Sequence, residues 1–129
     1  ILESTKPGSL FKWGLHDRAP MNKWSKGRFS LLGDAAHPML PFVAQGAAMA
    51  IEDGIVLASS LSSFNNVKLG LNDYENKRKY RTAKAQKTAT RNATIFHLSD
   101  FLAIFRNLVM KFFIKKIMDS FYKYDAISK

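Results

Sequence analysis

A glycine-aspartate pair at the end of a short alternating run limits the fold of this chain more than any other feature. Residues 28–32 alternate as a strand does, with Phe29 and Leu31 on one side and Arg28, Ser30 and Leu32 on the other. Gly33 ends the run and Asp34 follows it. A carboxylate at the carboxyl end of a buried strand needs partners, because an unpaired buried charge is too costly to keep. In open α/β sheets that position is where ligands are held. Vicinal hydroxyls suit it, since two of them can donate to one carboxylate. Pro38 and Pro41 keep residues 34–44 from forming one regular helix. A helix then starts at Gln45-Gly46-Ala47-Ala48, and the free N–H groups of a helix start favour negative charge. Asp34 and this helix start together suit a polyol and an anionic ring.

The rest of the chain reads as mostly helical. Pro7-Gly8, Gly14, Pro20 and Gly27 punctuate the first part, with a short strand expected over 10–15. The helix over 45–63 carries a ridge of small residues, Gly46, Ala50, Gly54 and Ala58. Such a ridge predicts close approach to a neighbour, so a large side chain at Gly54 is expected to push the helix away. A second helix is predicted over 72–93, with Asp73 and Glu75 in its first turn, where acids suit the dipole. A third is predicted over 99–118. Its apolar residues, from Phe101 and Leu102 to Phe112 and Phe113, form a wide face that predicts core packing, with a membrane-surface helix as the rival.

Composition excludes several classes. There is no cysteine, so disulfides, Cys-based zinc sites and thiol nucleophiles are out. The spacing of Asp34, His37, Glu52 and Asp53 matches no metal motif, and no metal site is expected. No G-x-S-x-G hydrolase elbow occurs. The opening residues lack the apolar core of a signal peptide, and no apolar run is long enough to span a bilayer. A cytoplasmic protein without stable membrane insertion is the expectation. The formal charge of +10 raises nucleic acid or an anionic membrane as a partner. Its densest part is Lys77, Arg78, Lys79, Arg81, Lys84, Lys87 and Arg91, which is read as a solvated helix face and not as a nucleic-acid reader.

The ordered run over 27–53, GRFSLLGDAAHPMLPFVAQGAAMAIED, resembles the second flavin-binding motif of the group-A FAD-dependent aromatic-ring monooxygenases. The salicylate hydroxylase and 6-hydroxynicotinate 3-monooxygenase branch is the nearest in look. The lead-in Trp13, Asp17-Arg18-Ala19-Pro20 and Trp24, the later Asn92 and Phe96-His97-Leu98, and the ending Tyr122-Lys123-Tyr124-Asp125 also look like that branch. The resemblance implies that Asp34 binds the ribityl chain of FAD. It implies that the Pro41 carbonyl lies beside flavin and substrate, and that Gln45, Gly46, Ala47 and Ala48 form the turn facing the pyrimidine end of the flavin. Ala48 departs from an asparagine common in the wider family, and Ala44 from a glycine of other branches. His37 and Pro38 match structural positions, and His37 is given no proton-transfer role. No catalytic side chain is assigned.

No three glycines fit G-x-G-x-x-G, the cradle for a dinucleotide pyrophosphate. The resemblance therefore implies an α/β fold of which this chain is the C-terminal portion: part of a Rossmann-like FAD/NAD(P)-binding domain, mostly helical, with one or two short strands. Residues 1–70 are expected to carry the flavin segment and residues 71–129 a helical extension packed on it. The implied activity is hydroxylation of a small aromatic acid with NADH or NADPH and O2, with room for a homodimer. A basic binding module and an inactive fragment are the alternatives.

Overall fold

The computed structural model describes residues 4–6 and 8–127, so Pro7 of the expected Pro7-Gly8 turn lies outside the described residues. Two short strands, β1 (Ser25–Lys26) and β2 (Phe29–Ser30), pair antiparallel in a hairpin with Ser25 opposite Ser30. Gly27 turns that hairpin at φ +64°, a left-handed conformation that glycine takes without a Cβ clash. Short 3-10 turns follow at Gly33–Ala35 and Pro41–Val43. Three helices complete the chain: α1 (Gly46–Ser63), α2 (Val67–Phe96) and α3 (Asp100–Tyr122).

Helices α1 and α2 form an antiparallel hairpin joined by three residues. Asn66 makes the sharp restart by capping α2, its Oδ1 accepting from the Lys68 N–H at 2.9 Å. At the hinge the helices meet closely: a Cβ on Gly70 would lie 3.2 Å from both Leu61 Cα and the Ser60 carbonyl oxygen. Two small apolar clusters hold the fold. One joins Trp24, Ala36, Val56 and Tyr74; the other joins Met49, Ala85 and Phe121 from the end of α3. The Tyr74 hydroxyl donates to the Leu31 carbonyl at 3.2 Å and ties the first cluster to the loop.

Several expectations need correction. Residues 10–15 form no strand, because no described strand lies beside them to share a ladder; Leu10, Phe11, Trp13 and Leu15 are exposed. The strand over 28–32 shrinks to Phe29–Ser30, and Phe29 is 83% exposed. Helix α2 starts at Val67 and not at 72, because the Asn66 cap acts before the acids do. Asp73 therefore falls in the second turn and Glu75 in the third, where Glu75 is buried. The small-residue ridge fails at Gly54: a Cβ there would meet nothing within 4 Å among the described residues. The wide face of α3 is not core. Phe101 is 88% and Phe112 71% exposed, and mainly the helix end at Phe121 is buried. The helix packs instead through another side, where Ala103 and Met110 are half-buried and Phe121 is buried, so the expected face has no neighbour among the described residues. None of the described helices is long and apolar enough to cross a membrane.

The close approach at Gly70 and the open space at Gly54 predict opposite outcomes. Gly54→Ala should raise stability by about 0.5–1 kcal/mol, the helix-propensity gain. Gly70→Leu should lower it by about 1–3 kcal/mol through overpacking. Thermal melts of both variants check this, and equal melting temperatures would contradict the packing described for the hinge.

Candidate functional site

Asp53, on α1, is fully buried and accepts three hydrogen bonds. Its Oδ2 takes the Gly33 N–H at 3.0 Å and lies 2.6 Å from His37 Nε2; its Oδ1 takes Arg78 Nε at 2.7 Å. Burial alone would raise the pKa of this carboxyl. The bonds from His37, Arg78 and the Gly33 N–H outweigh burial and hold it below the ordinary 3.8. His37 is donor to Asp53 through Nε2, which leaves Nδ1 buried without a partner among the described residues. His37 thus braces the Asp53 carboxylate through Nε2.

Arg78 comes from α2 and is fully buried. Besides Asp53 it reaches the Met49 carbonyl at 3.3 Å, and its Nη1 lies 2.7 Å from Glu52 Oε2, an ion-pair contact too poorly aligned for a hydrogen bond. Arg81 takes Glu52 in a fork at 2.6 and 2.5 Å and sits 3.8 Å from the ring centre of Tyr124. Two of the cations expected on a solvated face are thus consumed inside the protein. The sequence held the signal: Leu71, Tyr74, Arg78, Thr82, Ala85 and Ala89 recur at helical spacing, and all are buried.

Further bonds pin the loop ahead of α1. Arg18 donates to the carbonyls of Ala35 and Ala36 at 2.7 and 3.2 Å. Gln86 donates to those of Arg18 and Pro38 at 3.0 and 2.9 Å, and Asn92 donates to that of Phe42 at 3.0 Å. Glu75 accepts from the Trp24 and Ser25 N–H groups, both at 3.0 Å. Burial works against ionisation of Glu75, but those two backbone donors prevail and keep its pKa below the ordinary 4.5.

This frame brings the sequence-predicted residues together. Asp34 sits in the turn Gly33–Ala35 with its side chain exposed, and its Oδ1 is 3.7 Å from where a Cβ on Gly46 would lie. Glycine there lets the helix start approach the carboxylate. Gln45 is the N-cap of α1 and is itself buried, and its carbonyl accepts the Met49 N–H. Among the described residues no acceptor takes the N–H groups of Gly46, Ala47 and Ala48, as expected for a first helical turn. Pro41 is exposed and opens the second 3-10 turn. That turn ends at Ala44 with φ 51° and ψ 33°, the left-handed region where glycine is easier, by about 1–2 kcal/mol. The glycine-to-alanine departure at this position therefore carries a backbone cost. An apolar cleft of about 370 Å³ adjoins Pro41–Gln45, walled on the far side by Phe96 of α2 and Met110, Ile114 and Met118 of α3. Among the described residues no cluster suited to a metal ion occurs.

A carboxylate held beside a helix start, on a turn fixed from behind, has the chemistry that suits the class of ligand with hydroxyl donors and an anionic part. Known proteins give that class a family. The profile of the FAD binding domain matches residues 4–89, and the chain belongs to that family. It is 49% identical over 83 residues to the 6-hydroxynicotinate 3-monooxygenase of Pseudomonas fluorescens, covering 63% of this chain and 22% of that protein. It is 45% identical over 101 residues to the 3-hydroxybenzoate 6-hydroxylase 1 of Aquipseudomonas alcaligenes, covering 77% and 25%. The structure of Klebsiella pneumoniae HpxO complexed with FAD and uric acid matches with a TM-score of 0.71 at 28% identity, over 82% of this chain and 28% of that one. The chain thus spans about a quarter of the length of the relatives it matches. The family and the relatives' names bear out the resemblance to FAD-dependent aromatic monooxygenases.

The depressed carboxyls set the acid behaviour. A carboxyl that titrates lower in the folded chain contributes stability that is complete above its unfolded pKa and lost as pH falls through the folded one. Melting temperature should hold down to about pH 5 and fall below it as Glu75 and Asp53 take protons. Asp53→Asn should cost about 3–5 kcal/mol at neutral pH, as for a broken buried pair, and decline less steeply in acid. Parallel declines in variant and parent would contradict the placement of Asp53.

Proposed function

We propose that the whole protein is an FAD-dependent monooxygenase that hydroxylates a small aromatic acid with NADH or NADPH and O2. In this reading it acts in the cytoplasm and binds no nucleic acid. Residues 1–129 are the C-terminal portion of its FAD-binding domain, with the flavin segment in 1–70 and the helical extension in 71–129. The observation that carries the reading is the pairing of an exposed Asp34 carboxylate with the free N–H groups of α1 across Gly46. These residues fit FAD by their chemistry. Asp34 accepts from the ribityl hydroxyls, while the N–H groups of Gly46, Ala47 and Ala48 favour negative charge on the pyrimidine end of the ring. When bound, the flavin supplies electron transfer from the nicotinamide to oxygen and delivery of one oxygen atom to the substrate. The chain's own residues hold and orient it: Gln45 and Ala44 set the turn, and Pro41 presents its backbone beside the apolar cleft.

Relatives that act on 6-hydroxynicotinate and 3-hydroxybenzoate support an aromatic acid as the substrate class. The positive net charge favours approach of an anionic substrate, weakly at physiological salt. Burial of Arg78 and the Arg81–Glu52 pair take charge away from the surface a nucleic acid would need.

The test is a substrate panel with the full-length protein: salicylate, 3- and 4-hydroxybenzoate, 6-hydroxynicotinate and neutral phenols. NADH and NADPH oxidation is followed by absorbance and products by mass. One or more of the acids should stimulate nucleotide oxidation and gain the mass of one oxygen atom. Stimulation by no acid, or a gain on the phenols alone, would contradict the aromatic-acid assignment.

A further inference from the structure

We propose that Arg78 of α2 is a positioning residue for FAD, acting through Asp53 on the Asp34 carboxylate. This rests on the flavoprotein reading above. Asp53 Oδ2 holds both ends of one short turn, the Gly33 N–H and His37 Nε2. Between those ends lies Asp34, whose side chain is exposed beside the start of α1. Gly33 is in the left-handed region at φ +59°, and a Cβ there would meet Ala50 Cβ at 3.2 Å, so the turn is pressed against α1 as well. The position of Asp34 relative to the helix start therefore depends on how Asp53 is held.

Arg78 is what holds it. Its Nε takes the Asp53 oxygen that the turn does not use, and its other nitrogens engage Met49 and Glu52. Those three residues line one face of α1, at spacings of three and four. A planar guanidinium meets three acceptors in fixed directions, which a lysine ammonium on a flexible stem does not reproduce. With lysine at position 78, Asp53 keeps a charge partner but loses the fixed direction of its Oδ1 bond. The turn slackens, and Asp34 drifts from Gly46. A purely structural arginine would lower stability in the same way but would have no reason to act through Asp34.

A double-mutant cycle on FAD affinity separates the two roles. FAD dissociation constants and apoprotein melting temperatures are measured for the full-length parent, Arg78→Lys, Asp34→Ala and the double variant. Positioning predicts that Arg78→Lys weakens FAD about tenfold in the parent and less than about twofold once Asp34 is alanine, because residues coupled through one hydrogen-bond network are not additive. Equal factors in both backgrounds, or no loss from Arg78→Lys, would overturn the proposal. Unchanged affinity in Asp34→Ala alone would overturn the flavin reading of Asp34 itself, and the positioning role with it. Should Arg78→Lys fail to fold, Asp53→Asn takes its place in the same cycle, with the same non-additivity expected and equal factors again decisive against.

Discussion

The buried ion pair between Asp53 and Arg78 is the contact on which the rest of this structure depends. Two charges are taken wholly out of water, and attraction alone rarely offsets that cost. Here each charge has further partners. Asp53 also receives the Gly33 N–H and His37, and Arg78 also meets Met49 and Glu52. Breaking such a pair costs about 3–5 kcal/mol, because it strands the remaining charge. That is a large share of a typical domain's net stability, about 5–15 kcal/mol. The pair also fixes direction, which apolar side chains of the same size would not. It locks the register of α1 against α2 and at the same time clamps a loop turn onto α1.

Helix α2 behaves as a strut that holds main chain. Along its inner face, Glu75 takes the N–H groups at the hairpin, Arg78 reaches α1, Gln86 reaches the carbonyls of Arg18 and Pro38, and Asn92 reaches that of Phe42. The segment from Trp24 to Phe42 has little regular structure of its own, so its polar backbone groups need these partners. With the loop held from behind, the front is left to Asp34, Pro41 and the first turn of α1. The apolar clusters are small and flank this polar seam, and α3 adds to them chiefly through Phe121.

Much of the site was legible because it is local. Gly33-Asp34, the proline breaks and the glycine-led helix start lie within fifteen residues, and each follows from backbone rules that act at short range. The positions of α1 and α3 were legible for the same reason, as was the mostly helical character; of the two strands only β2 was expected, and β1 was not. What stayed hidden depends on contacts distant in sequence. Arg78 looked like one of several surface cations, and only its place on the Leu71–Tyr74–Thr82–Ala85 stripe distinguishes it. Gln86 and Arg18 carry no motif, since a side chain that binds backbone carbonyls leaves no pattern of its own. The face of α3 was misread because apolar periodicity says that a surface suits burial, not that a neighbour is present. The ridge at Gly54 was misread likewise, while the true close approach, at Gly70, has no small-residue neighbour at position i+4 to mark it.

A crystal structure of the full-length protein with FAD bound tests the central claim most directly. The quantity to read is the separation between the Asp34 carboxylate and the ribityl hydroxyls. Hydrogen-bond distance, about 2.6–3.2 Å, is predicted, with the first turn of α1 facing the pyrimidine end of the flavin and Asp53 still on the Gly33 N–H. A flavin lying elsewhere, with Asp34 turned to solvent, would contradict it.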